Sequence, residues 1–421
     1  MTTSSIASRS GDVSQVNAKK VDRSDLRWIL GLYGTAIGAG TLFLPINAGI
    51  GGVWPLVMIA LLAFPATYFS HRGLMRFVLS GAEQGDRDMT MTFKRHFGQT
   101  TGSLLTIFYF FAVFPLLLVY SVALTNTVQS LLIHQFGWSP IPRGWLSLLL
   151  MGALVLIARG GQQRILKTMS LLVYPFIIAL VALGLFLIPQ WKGEFLTTAA
   201  EPINWHHMTY TLWLAIPVMV FSFNHSPMIS AFSVAQYRRY GERAEQKGSR
   251  MLAVAHLLMV VTVMFFVFSC VMTLSPANLA EARDQNVTIL SYLANYLGRP
   301  VIAYAAPIIA LVAISKSFLG HYIGAEEGAR GLIGNRGRGV DLLVSIMIFI
   351  ACWMTATLDP SILDLIENLG GPVIAVLLFL VPMAAIYSVP ALAKYKRAPS
   401  NLLVIAVGLI AVSGMLYKFL S

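Results

Sequence analysis

Apolar runs long enough to cross a bilayer recur from one end of the chain to the other, separated by short loops rich in Lys and Arg. Roughly 20 mainly apolar residues are needed for a crossing helix, because in hydrocarbon every backbone amide must be satisfied within its own segment. Eleven runs are read as crossings, the fourth of them short: Leu26 to Gly49, Val53 to Phe69, Leu104 to Leu132, Trp145 to Ala158, Thr168 to Ile188, Tyr210 to Ala235, Met251 to Leu274, Val301 to Ile323, Leu342 to Leu358, Gly371 to Val389 and Asn401 to Leu420. The fold class expected is an all-α integral membrane protein with no large soluble domain.

Two runs break the pattern. The first contains Gly34, Gly38 and Gly40 and then Pro45; the sixth contains Ser222-Phe223-Asn224-His225-Ser226-Pro227 amid Leu, Val and Phe. Glycine weakens a helix and proline removes a backbone donor, so both stretches predict an unwound segment. Inside a bilayer, unwinding is tolerated only where the freed groups face protein, water or ligand. Each break opens a block of five runs, and five is odd, so the two blocks are expected to be inverted relative to one another. The predicted organisation is a tail over 1–25, a first five-helix block over 26–190, a second over 208–390 and an additional helix over 400–421. Paired breaks in inverted halves point to a binding site near the midplane of a transporter. The competing reading of Gly34 and Gly38 is close helix packing alone.

Composition agrees with burial in lipid: of 421 residues, 57% are apolar and 11% charged. A net charge of +12 could suggest a nucleic-acid partner, but its distribution points elsewhere. With the N-terminus inside, 24 Lys and Arg fall on inner segments and 5 on outer ones. Such a bias predicts topology, with a cytoplasmic N-terminus and a periplasmic C-terminus, and no nucleic-acid partner. Met1 to Lys20 lacks the apolar core of a signal peptide. Cys270 and Cys352 lie inside predicted spans and read as packing residues; no cofactor and no metal site are expected.

The two breaks suit a zwitterion. Amides of Gly38, Ala39, Gly40 and Thr41 would begin a half-helix whose positive end fits a carboxylate, with Thr35 and Ala36 closing the half before it. Carbonyls of Phe221, Ser222 and Phe223 would lose their helical donors and accept from an ammonium group. Asn224 and Ser226 would remain free for a side-chain hydroxyl, Phe223 could cover the ligand, and Tyr120 could reach its carboxylate. Ser121, Thr125 and Asn126 on the same run are equally explained by contacts between helices.

Lys316 is the one cation placed not at the end of a predicted span but in its interior, where an unpartnered lysine costs at least a few kcal/mol. It could snorkel to the inner boundary, pair with carbonyls of the first break, or carry a coupling proton. The predicted spans hold no Asp or Glu in their middles, which leaves Lys316, His225, His256 and His321 as proton carriers. His225 is the first alternative to Lys316 because it lies in a break.

The stretches GLYGTAIGAGTLFLPINAGIGG, LLVYSVALTNTV, LWLAIPVMVFSFNHSPMISAF and ISKSFLGHYIGAEEG resemble the hydroxy and aromatic amino acid permeases of bacteria, above all the serine and threonine/serine branch. The resemblance implies an inner-membrane location, the inverted five-plus-five fold of the amino acid/polyamine/organocation superfamily, and amino acid:proton symport, with serine first, then threonine, and aromatic amino acids as alternatives. Sodium-coupled members of that wider fold place hydroxyl residues of helix eight at a cation site facing helix one. Ser317 matches part of that pattern, whereas Lys316 departs from it and favours the proton. Other classes fit less well. A channel would call for a repeated filter segment, and a membrane enzyme for clustered acids or metal ligands, while the histidines of the spans are scattered along the chain.

Overall fold

A computed structural model describes residues 21–200, 205–333 and 337–420. The expected tail over Met1 to Lys20 lies outside the described residues. Helices occupy every predicted run: α1 Arg23–Ala36, α2 Ala39–Ile50, α3 Val53–Ala82, α4 Met89–His134, α5 Arg143–Ala158, α6 Gln162–Leu187, α7 Glu194–Ala200, α8 Trp205–Ser222, α9 Ser226–Tyr240, α10 Ala244–Thr273, α11 Pro276–Asp284, α12 Ile289–Tyr296, α13 Pro300–Ile333, α14 Arg338–Leu358, α15 Ile362–Ser388 and α16 Ser400–Leu420. Among the described residues, seven helices are long and apolar enough to cross a membrane, or eight if the bent pair α1 and α2 counts as one. The short helices α7, α11 and α12 fall in loops where none was expected.

Burial is inverted relative to a water-soluble protein. Leu171 on α6 is 74% exposed, while Lys316 and His225 are fully buried. Apolar side chains facing outward and polar ones sealed inside are what a lipid surround selects. The chain is a multi-pass helical membrane protein.

Both expected interruptions are present. The first run bends by 50° between α1 and α2. Ile37 leaves α1 in an extended conformation, and Gly38, with φ −149° and ψ −141°, starts α2. The sixth run stops at Ser222 and restarts at Ser226, where Pro227 occupies an early helical position that needs no amide donor. The two interrupted helices sit at the centre of the bundle: α1 packs on α6, α10 and α13, and α2 on α8.

Helix α15 holds two wide turns, in which the Gly371 amide reaches back to Ile366 and the Val381 amide to Val376. Pro372 and Pro382 sit at these points and delete ordinary helical donors. The helix also begins earlier than expected. It therefore includes Glu367, 5% exposed, which accepts from Asn47 Nδ2 at 2.7 Å and pairs with Arg283 at 3.6 Å. An acid thus lies inside a transmembrane helix, at its end rather than its middle.

Candidate functional site

Unwinding at Ile37 frees the last carbonyls of α1, and α13 supplies their donors. Lys316 Nζ donates to the carbonyls of Ile37 at 2.7 Å and Gly34 at 3.3 Å; Ser317 Oγ donates to Thr35 at 2.7 Å. Beneath the ammonium lies the ring of Phe176, 4.0 Å from Nζ to centroid, adding a cation–π contact. Lys316 therefore pairs with the break and does not snorkel. Its charge is met by two carbonyls and one aromatic face, and by no carboxylate contact among the described residues.

Gly38 fits this crossing for steric reasons. A Cβ there would collide with Ser317 and come within 3.0 Å of Tyr120 Cε1. Likewise a Cβ at Gly40 would strike Phe221 and lie 3.0 Å from the Ser222 Cα. The two breaks are thus in direct contact through α2, and Thr41 Oγ1 donates to the Ser222 carbonyl at 3.1 Å. Amides in the first turn of α2 have no acceptor within the helix, and Gly38 caps them with no side chain.

At the second break the structure corrects the expectation of open carbonyls. Phe221 accepts from the Asn224 amide at 3.2 Å, Ser222 from Thr41, and Phe223 from His225 Nδ1 at 3.2 Å. Each is satisfied locally, because a tight turn and two side chains replace the lost helical donors; each oxygen keeps a second lone pair. Asn224 is not free either. Its Oδ1 accepts from the Ser226 amide at 3.0 Å, and its Nδ2 faces His321 Nε2 at 3.4 Å. Ser226 Oγ, by contrast, is fully buried without a hydrogen-bond partner among the described residues.

Tyr120 lies between α2 and α13, its ring 6.2 Å from Phe221 and 5.0 Å from His321. The neighbouring polar residues of α4 do not join it. Ser121 and Thr125 bond back to carbonyls of their own helix, and Asn126 enters a separate network with Arg143, Asn286 and Asp359. Thr35 Oγ1 also bonds back, to Gly31, so this residue offers its carbonyl rather than its hydroxyl.

The histidines are not scattered, as their sequence positions suggested. His225 at the break, His256 on α10 and His71 on α3 meet in one buried cluster, with the His71 and His225 rings stacked 3.7 Å apart. His71 was missed because the second run was expected to end at Phe69, whereas α3 continues to Ala82. One ring nitrogen from each lies within 4.8 Å of the others, a spacing that a metal ion could draw together. Their donor set is three neutral imidazoles with no carboxylate, which leaves a dication uncompensated in lipid.

Access differs between the two faces. On the face carrying most of the basic loops, a cavity of about 900 Å³ opens among Trp28, Arg87, Arg159, Arg238 and Arg330. Toward the opposite face, Asn47, Glu367 and Arg283 link α2, α15 and α11, and Arg143 pairs with Asp359 at 2.9 Å.

Known proteins resemble the chain over nearly its full length. A model of the tryptophan/tyrosine permease family matches residues 28–418. The serine transporter SdaC of Escherichia coli is 55% identical over 95% of this chain and 96% of its own, and the threonine/serine transporter TdcC of Edwardsiella piscicida is 43% identical over 94% and 96%. Among solved structures, MhsT in complex with L-phenylalanine superposes with a TM-score of 0.62 at 16% identity, covering 95% of this chain and 98% of that one. The chain belongs to the tryptophan/tyrosine permease family, and it is a membrane transporter and not an enzyme.

Proposed function

We propose that this permease imports L-serine by proton symport across the inner membrane of a bacterium, through a site between the two helix breaks. The observation that carries the proposal is the meeting of the α1/α2 and α8/α9 breaks at Gly40, Thr41, Phe221 and Ser222. The substrate carboxylate lies on the first-turn amides of α2, with Tyr120 beside it. Its ammonium group takes the second lone pairs of the Phe221, Ser222 and Phe223 carbonyls, and its hydroxyl meets Ser226. A small hydroxy amino acid is favoured because a buried hydroxyl without a partner costs about 1–3 kcal/mol, so a ligand that brings one to Ser226 gains over one that does not. L-Threonine comes second, in line with the threonine/serine relative.

The topology that fits is eleven crossings, two inverted blocks of five over 26–190 and 208–390, the N-terminus in the cytoplasm and the C-terminus in the periplasm. In that orientation the cavity of about 900 Å³ is cytoplasmic and the Asn47–Glu367–Arg283 link is periplasmic. The conformation is then one closed to the outside, as alternating access requires of one of its states.

Coupling to a proton rather than sodium is supported by Lys316. Its ammonium occupies the carbonyls of Gly34 and Ile37 that a cation at this crossing would need, and Ser317 takes Thr35. A lysine held by carbonyls alone can release its proton without stranding a partner carboxylate, which puts it among the groups able to carry the proton. Uptake of labelled L-serine into proteoliposomes tests the proposal. An imposed inward proton gradient is expected to drive accumulation, with L-serine and L-threonine as the strongest competitors. Accumulation that follows sodium and ignores the proton gradient would overturn it.

A further inference from the structure

The buried cluster of His71, His225 and His256 adjoins the second break, and its hydrogen bonds fix its tautomers. A carbonyl oxygen only accepts, so Nδ1 carries the proton in His71, which bonds Thr67 at 2.7 Å, in His256, which bonds Leu252 at 2.8 Å, and in His225, which bonds Phe223. All three Nε2 atoms are then bare acceptors. His71 Nε2 receives the main-chain amide of His225 at 3.1 Å, and His256 Nε2 faces His71 Nδ1 at 3.4 Å. His225 Nε2 is thus the one ring nitrogen of the three histidines with no hydrogen-bonding neighbour among the described residues, a buried lone pair open to a proton.

We propose that these three histidines form the site that takes up the transported proton, and that the His225 amide bonded to His71 transmits its arrival to the break where substrate binds. This rests on the proton-symport reading above. The proton adds to the lone pair of His225 Nε2 and converts one neutral imidazole to imidazolium; on release to the cytoplasm the same N–H bond breaks. Only one proton enters at a time, because the stacked His71 and His225 rings, 3.7 Å apart, would repel as two cations.

The trio also contains a switch. A proton on His71 Nε2 and the bond from the His225 amide to that same atom are mutually exclusive. With the proton on His225 or His256, the break keeps its present form; with the proton on His71, the His225 amide is expelled and the turn from Phe221 to Ser226 is free to rearrange. The carbonyls of that turn are those assigned to the substrate ammonium group. Proton position and substrate affinity are therefore properties of one short segment.

Other ionisable groups on the surrounding elements are accounted for. His321 of α13 reaches the break through Asn224 and bonds the Ser317 carbonyl at 2.9 Å, and Tyr68 stands edge-on to His256 at 5.9 Å. Arg72 and Arg76 of α3 pair with Glu245 of α10, and Lys316 is held on α1.

The test is proton uptake by the purified protein in weak buffer with a pH indicator, on addition of L-serine, with serine binding measured alongside. Wild type is expected to take up about one proton per serine bound, as linkage requires of a coupled site. His71→Gln and His225→Gln are expected to bind serine more weakly and to take up almost none. Serine binding by wild type without proton uptake would defeat the symport reading itself, and this inference with it. Uptake retained in both variants would defeat the inference alone and leave Lys316 as the carrier. If the variants do not fold, ¹⁵N ring shifts of labelled wild type decide: serine should protonate one buried Nε2, and unchanged shifts would overturn the assignment. Stoichiometric zinc in the purified protein would overturn it too, because a metal would consume the same lone pairs.

Discussion

Thr41 donates its hydroxyl to the main-chain carbonyl of Ser222 across 3.1 Å, joining residues 181 positions apart. Each partner belongs to a different interrupted helix, so this bond is where the two halves of the site are measured against one another. A buried hydrogen bond of this kind contributes about 1 kcal/mol net. Thr41→Val is therefore expected to weaken serine binding about fivefold, as 1 kcal/mol implies, while Thr41→Ser keeps wild-type affinity. Equilibrium binding of labelled serine to the purified variants checks both.

Gly38 and Gly40 have no room for a methyl group, because Ser317 and Phe221 occupy the space. Overpacking a tight contact costs about 1–3 kcal/mol, so Gly40→Ala should cut uptake by roughly tenfold or more. Combining it with Phe221→Leu should restore part of the loss. Uptake in cells normalised to the amount of protein in the membrane separates transport from expression.

Lys316→Met removes the ammonium group but leaves a side chain of similar reach among the carbonyls of Gly34 and Ile37. If this lysine carries coupling or its charge balance, gradient-driven accumulation falls to background while counterflow exchange between the two faces of the membrane persists. Counterflow and accumulation measured on the same proteoliposomes give the ratio directly. Unchanged accumulation would reject the lysine as a coupling group and leave it a structural tether.

Ser226 carries a buried hydroxyl with no partner among the described residues. Ser226→Ala is expected to lower the affinity for L-serine by about tenfold, the worth of a bond of about 1.4 kcal/mol, and to spare L-alanine. Competition by the two amino acids against labelled serine reports the difference; equal losses would make Ser226 a packing residue.

Much of this architecture was legible in the chain. Apolar length places the helices, and Gly38, Pro227 and the polar stretch between Ser222 and Ser226 mark where two of them open, since each residue acts through its own backbone. Lys316 announced its need for carbonyl partners by its cost in lipid, and the partners are those of the nearest break. What escaped notice depends on tertiary contact. Nothing local reveals that Thr41 covers the Ser222 carbonyl, that Asn224 spends both ends of its amide on Ser226 and His321, or that His71, His225 and His256 converge from α3, the break and α10. Helices α11 and α12 were missed for a different reason: at nine and eight residues, with polar caps from Ser275 and Thr288, they carry too little apolar length to register as spans.

A structure with bound L-serine tests the central claim most directly. The carboxylate is predicted on the amides of Gly38 to Thr41 and the ammonium group at the carbonyls of Phe221 to Phe223, with α1/α2 and α8/α9 both still interrupted. Serine bound away from the two breaks, or either helix running continuously past it, would contradict the account.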